Sequence, residues 1–81
     1  MSRQAKLIEA FKNSKGPYPY RDLCRILVSL GYVESTNDGS RRAFIDRAGH
    51  IIRIHEPHPN KEVLPYVVRA VREALEARGM I

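Results

Sequence analysis

Apolar residues recur every three or four positions in three stretches of the chain, and that period predicts three amphipathic helices. From Arg3 to Asn13, Leu7, Ile8 and Phe11 share one side of a short helix. Ser14-Lys15-Gly16-Pro17-Tyr18-Pro19 then interrupts it, since a glycine and two prolines within six residues cannot continue a helix. Leu23, Ile26, Leu27 and Leu30 resume helical spacing from about Arg21 to Leu30, and Gly31 suits the C-terminal cap. The third stretch runs from Pro65 to Arg78. Leu64, Val67, Val68, Val71, Ala74 and Leu75 form its apolar stripe, with Arg69, Arg72, Glu73 and Glu76 opposite. Pro65 is tolerated in the first turn, and Gly79 ends the helix.

Between the second and third helices the chain reads as three short strands. Tyr32-Val33-Glu34-Ser35 is the first, and Thr36-Asn37-Asp38-Gly39 is a turn whose Asn, Asp and Gly tolerate positive φ. Ser40 to Asp46 is the second, Arg47-Ala48-Gly49 a tight connection, and His50 to His55 the third. The order helix, helix, three strands, helix predicts an α+β domain. Its helices cover one face of a three-stranded antiparallel meander and leave the other face open.

The hairpin register follows from the loop length. A three-residue loop pairs Asp46 with His50, Phe44 with Ile52 and Arg42 with Ile54. On the other face it pairs Ile45 with Ile51, Ala43 with Arg53 and Arg41 with His55. A loop one residue longer pairs Ile45 with His50 and sets Arg42 opposite Arg53, where like charges repel. The first register is preferred, and Ile52 and Ile54 are buried in both. It sends Phe44, Ile52 and Ile54 to the core and puts Arg41, Arg53 and His55 on the open face.

Composition narrows the function. The chain has 81 residues, enough for one small domain that hides about 60–65% of its unfolded surface, too little for a large cofactor cavity. No apolar run approaches the ~20 residues of a membrane span, and Met1 to Gly16 is too charged for a secretory signal. The single cysteine, Cys24, excludes an internal disulfide framework and fits a reducing cytosol, so a cytoplasmic protein without a membrane partner is expected. Fourteen Lys and Arg against nine Asp and Glu give a formal charge of +5. Such a surface concentrates polyanions, RNA foremost, in a salt-dependent way, although excess charge also serves solubility alone.

The candidate chemistry gathers around His55-Glu56-Pro57-His58-Pro59. Two prolines hold this segment extended and restrict both imidazoles. A zinc site is disfavoured, because three or four convergent ligands are needed and the only thiol lies in the apolar second helix; no metal or cofactor is expected. His55 has the alternative role of proton-transfer group beside Arg41 and Arg53. An arginine fork matches two phosphate oxygens and keeps its charge, while an imidazole exchanges a proton near neutral pH. His58 is either its partner or a structural anchor of the loop before the last helix. Arg42 and Ser40 complete the expected phosphate contacts. Asp38-Gly39-Ser40 is too short for a phosphate-binding loop and lacks its lysine.

Tyr20-Arg21-Asp22-Leu23-Cys24-Arg25-Ile26-Leu27-Val28-Ser29-Leu30-Gly31-Tyr32, Gly39-Ser40 opening a basic strand, His58-Pro59, and Leu64-Pro65-Tyr66-Val67-Val68-Arg69 with Leu75 and Gly79-Met80-Ile81 form an ordered set. Together they resemble the HicA family of toxins from bacterial and archaeal toxin–antitoxin pairs. The resemblance spans Tyr20 to Ile81 and leaves residues 1–19 as a helical extension of a 20–81 domain. It implies a double-stranded-RNA-binding-like fold, metal-free endonucleolytic cleavage of mRNA, and neutralisation by a HicB-like antitoxin. The family's catalytic histidine follows Gly-Ser immediately or one residue later, and here those positions hold Arg41 and Arg42. Arginine is no general base at neutral pH. Either His55 performs the proton transfer from across the ladder, or the chain retains RNA or partner binding alone.

Overall fold

The computed structural model describes residues 3–36, 41–55, 57 and 61–81. Its helices are α1 (Arg3–Asn13), α2 (Tyr20–Ser29) and α3 (Pro65–Ala77). Strands β2 (Val33–Thr36), β3 (Arg41–Ile45) and β4 (Ile51–His55) form an antiparallel sheet in that order. The α+β arrangement therefore agrees with the periodicity, to within a residue or two at each end.

The stop signals work as their chemistry requires. After α2, Gly31 adopts a φ of 99°; its N–H donates to Val28 O and that of Tyr32 to Leu27 O, both at 3.0 Å. After α3, Gly79 adopts a φ of 72°, with Gly79 donating to Glu76 O and Met80 to Leu75 O. Both are Schellman closures, in which a residue free to turn left-handed satisfies the last carbonyls of the helix. Pro65 occupies the first turn of α3, where no amide proton is needed.

The core lies between the helices and one face of the sheet. Leu23, Ile26 and Leu27 come from α2, Val68, Val71 and Leu75 from α3, and Phe44, Ile52 and Ile54 from the strands. Alternation along β4 is complete: Ile51, Arg53 and His55 are exposed while Ile52 and Ile54 are buried. No helix among the described residues is long and apolar enough to cross a membrane.

The segment before α2 does more than interrupt a helix. Tyr18–Pro19 forms β1, which pairs antiparallel with β5 (Glu62–Val63), a ladder that periodicity does not predict. The Tyr20 N–H at the start of α2 donates to Lys61 O at 3.0 Å. Phe11 of α1 is fully buried and meets the Tyr18 ring edge-on, with centroids 5.5 Å apart. Gln4 Nε2 donates to Ser29 O and Arg72 Nη1 to Ser14 O, each at 3.1 Å, so α1 is bonded to α2 and its end to α3.

Because Phe11 shares the main core, Phe11→Ala is expected to cost about 3–5 kcal/mol. Urea unfolding followed by circular dichroism would show a lower midpoint with unchanged cooperativity.

Candidate nucleic-acid interface

The open face of the sheet owes its register to one turn. The Asp46 N–H donates to His50 O at 3.1 Å, and Gly49, at a φ of 84°, donates back to Asp46 O at 3.0 Å. Asp46 Oδ1 also accepts from the Ala48 and His50 amides, at 3.0 and 2.9 Å. Its other oxygen receives Arg78, which follows α3. Burial pushes the Asp46 carboxyl up, but the two amide bonds and the Arg78 charge outweigh it and hold the pKa below 3.8.

Pairing then runs Arg41 with His55, Arg42 with Ile54, Ala43 with Arg53, Phe44 with Ile52 and Ile45 with Ile51. This is the register expected from a three-residue loop, and the longer-loop alternative is not adopted. Arg53 and His55 are both exposed on the face away from the helices. Arg41 stands at the register position directly across from His55. Near the turn the same face becomes apolar: Val33 pairs with Ile45, Ile45 with Ile51, and all three are exposed. Ala43 lies between these zones and is only 4% exposed.

Arg42 is placed elsewhere. Strand alternation turns it to the side of Phe44, where its Nε lies 3.9 Å from Glu34 Oε2. The Tyr20 hydroxyl donates to the same carboxylate oxygen at 3.3 Å. These groups line an open groove of about 650 Å³ between α2 and the sheet, with Arg21, Cys24 and Arg25 along its helical wall. Burial, reinforced by Cys24 and Glu34, raises the Tyr20 pKa strongly and keeps its phenol protonated. Arg42 is thus not gathered with His55 and Arg53. The Tyr20–Glu34–Arg42 grouping escapes sequence reading because it needs the register of β2 on β3, which is set across the turn.

His50 has a structural partner. Its Nδ1 lies 2.8 Å from the Tyr32 hydroxyl, which is also 3.6 Å from Met80 Sδ. With the Nδ1–H tautomer donating to the Tyr32 oxygen, the single phenolic proton serves the sulfur and both contacts are satisfied. Burial raises the Tyr32 pKa, the Arg78 charge opposes it and the Asp46 charge adds to it. Ser40 and His58 lie outside the described residues. Among the described residues no group of three or more His, Cys, Asp or Glu side chains is placed to hold a metal ion.

The arrangement offers an exposed guanidinium, Arg53, and an exposed imidazole, His55, on one sheet face, with Arg41 at the register position across from His55. Against known proteins, a family model described as the HicA toxin of bacterial toxin–antitoxin systems matches residues 20–77. No curated protein and no solved structure matches.

The Asp46 carboxylate stabilises the hairpin while it is ionised. That contribution is fully present above the unfolded pKa, near 3.8, and is lost as pH falls through the lower folded value. Asp46→Asn is therefore expected to flatten the acid limb of the stability profile. Urea midpoints measured between about pH 2 and pH 6 would show the variant and parent converging at the acid end.

Proposed function

The chain belongs to the HicA toxin family of bacterial toxin–antitoxin systems, and from that premise we propose that it is a metal-independent endoribonuclease that cleaves mRNA. A toxin–antitoxin family implies an antitoxin partner; in this reading the partner is HicB-like and the protein acts in the cytoplasm. Residues 20–81 carry the activity and residues 1–19 form the extension. The observation that supports the reading is the β3–β4 register, with Arg41 across from His55 and Arg53 exposed on the same face as His55.

In this mechanism RNA lies over the open face with a phosphodiester between Arg41 and Arg53. His55 takes the proton of the ribose 2′-hydroxyl, and the freed oxygen attacks the adjacent phosphorus. The bond from phosphorus to the 5′-oxygen breaks, and a protonated group returns a proton to that oxygen; His58, three residues on, is the candidate. A 2′,3′-cyclic phosphate and a 5′-hydroxyl result. The guanidinium groups stabilise the charge that grows on the non-bridging oxygens, where they act more strongly than on the ground state. Ser40, the residue preceding β3 in sequence, would add a neutral donor. Arg42, turned to Glu34, contributes to the field rather than to this phosphate.

One observation favours a second reading: arginines stand at the two positions after Gly39-Ser40 where the family places its histidine. A chain with those cations and no functioning base would bind RNA without cutting it.

His55→Ala separates the two. It is expected to reduce cleavage of labelled RNA in EDTA by about 10²–10⁴-fold while leaving the thermal midpoint within a degree or two, because the side chain is exposed. Unchanged cleavage would remove His55 from the mechanism. Salt-dependent RNA retention by the parent protein without any cleavage would establish the binding-only reading.

A further inference from the structure

β4 is an edge strand, and its outer side is built for a further strand. Antiparallel pairing alternates narrow, hydrogen-bonded pairs with wide ones. The Asp46–His50 bond fixes that alternation, so Phe44–Ile52 and Arg42–Ile54 are the bonded pairs that follow. Ile51 and Arg53 consequently turn their N–H and C=O groups away from β3. Among the described residues, no backbone group meets them there.

Beside this edge runs a groove of about 310 Å³ between β4 and α3. Tyr66, Val67, Ala70 and Ala74 form its helical wall, and Tyr66 is 62% exposed. The charge on its strand side is of one sign. Residues 41–55 contain four arginines and one acid, Asp46, which is already engaged by Arg78.

We propose that the outer edge of β4 docks an extended segment of a protein partner, in which apolar and acidic residues alternate. The segment lies antiparallel or parallel to β4 and exchanges backbone hydrogen bonds with Ile51 and Arg53. Its side chains on the helical side drop into the groove against Tyr66, Val67 and Ala70. The intervening side chains emerge beside Arg53 on the open face, where carboxylates complete the charge. RNA fits this edge poorly: phosphate oxygens accept hydrogen bonds but cannot serve the outward carbonyls, and the helical wall of the groove, Tyr66, Val67, Ala70 and Ala74, carries no charge. A strand docked here also stands beside Arg53 and the face assigned above to RNA, so the two ligands compete. The inference rests on the toxin–antitoxin reading for the existence of a protein partner, and it needs no catalytic step.

The test uses the full chain, labelled with ¹⁵N and ¹³C, and a synthetic seven-residue peptide alternating valine with glutamate. Saturable shifts and slowed exchange at the Ile51 and Arg53 amides are expected, together with shifts of the Ala70 methyl and the Tyr66 ring. N-methylation of the peptide amides that face β4 should weaken binding by about tenfold or more, as loss of one or two backbone hydrogen bonds requires. Ala70→Glu, a change at an exposed helical position, should weaken it similarly while preserving the spectrum of the remaining core. No saturable binding, equal affinity for the N-methylated peptide, or a response of these amides to single-stranded RNA instead of peptide would each overturn the proposal. Cleavage of RNA, measured on the same preparation without peptide, reports separately on the ribonuclease reading.

Discussion

Asp46 accepts two amide hydrogen bonds on its carboxylate and a third on its backbone carbonyl, donates one through its own N–H and receives Arg78 from beyond α3. These contacts close the β3–β4 turn at three residues, and in a ladder of period two the closure decides the face of every following side chain. A slip of one position that kept Ile52 and Ile54 buried would instead turn Phe44 out of the core and set Arg42 across from Arg53 on the open face. Losing the burial of Phe44 and placing like charges directly opposite both oppose that slip. The basic face therefore depends on a carboxylate on the opposite side of the strand from it.

That face is divided along its length. Its far end has exposed Arg53 and His55 with Arg41 in register, and its near end exposes Val33, Ile45 and Ile51. Permanent cations attract a polyanion from a distance, while a row of exposed aliphatic side chains favours a surface that can exclude water. A single sheet surface thus combines what an RNA phosphate and a polypeptide each require. On the function proposed above, shared ground of this kind would make neutralisation a matter of occupancy rather than of distortion.

Much of this architecture is legible in the chain. The i, i+3, i+4, i+7 spacing of Leu23, Ile26, Leu27 and Leu30 gives α2, and the loop length with the repulsion between Arg42 and Arg53 gives the hairpin register. Such signals are local, so a short window contains them. The β1–β5 ladder is not local: Tyr18–Pro19 is two residues long, includes a proline, and pairs with Glu62–Val63, which lies beyond the whole three-stranded sheet in sequence. The pairing of Glu34 with Arg42 is hidden for a related reason, since it depends on how β2 sits on β3. His50, one of three histidines, gives no sign in sequence that Tyr32 holds it.

The β1–β5 ladder has a mechanical side. It bonds the segment leaving α1 to the segment entering α3, immediately after the stretch that carries His58. Tyr18 is buried in this joint beside Phe11, and Lys61 is drawn into a left-handed turn at a φ of 57° as its carbonyl caps Tyr20. Phe11, Tyr18 and the ladder thus connect α1 to Lys61 by a route that does not pass through the three-stranded sheet. The amino-terminal helix is tied in this way to the residue that follows the histidine-bearing stretch.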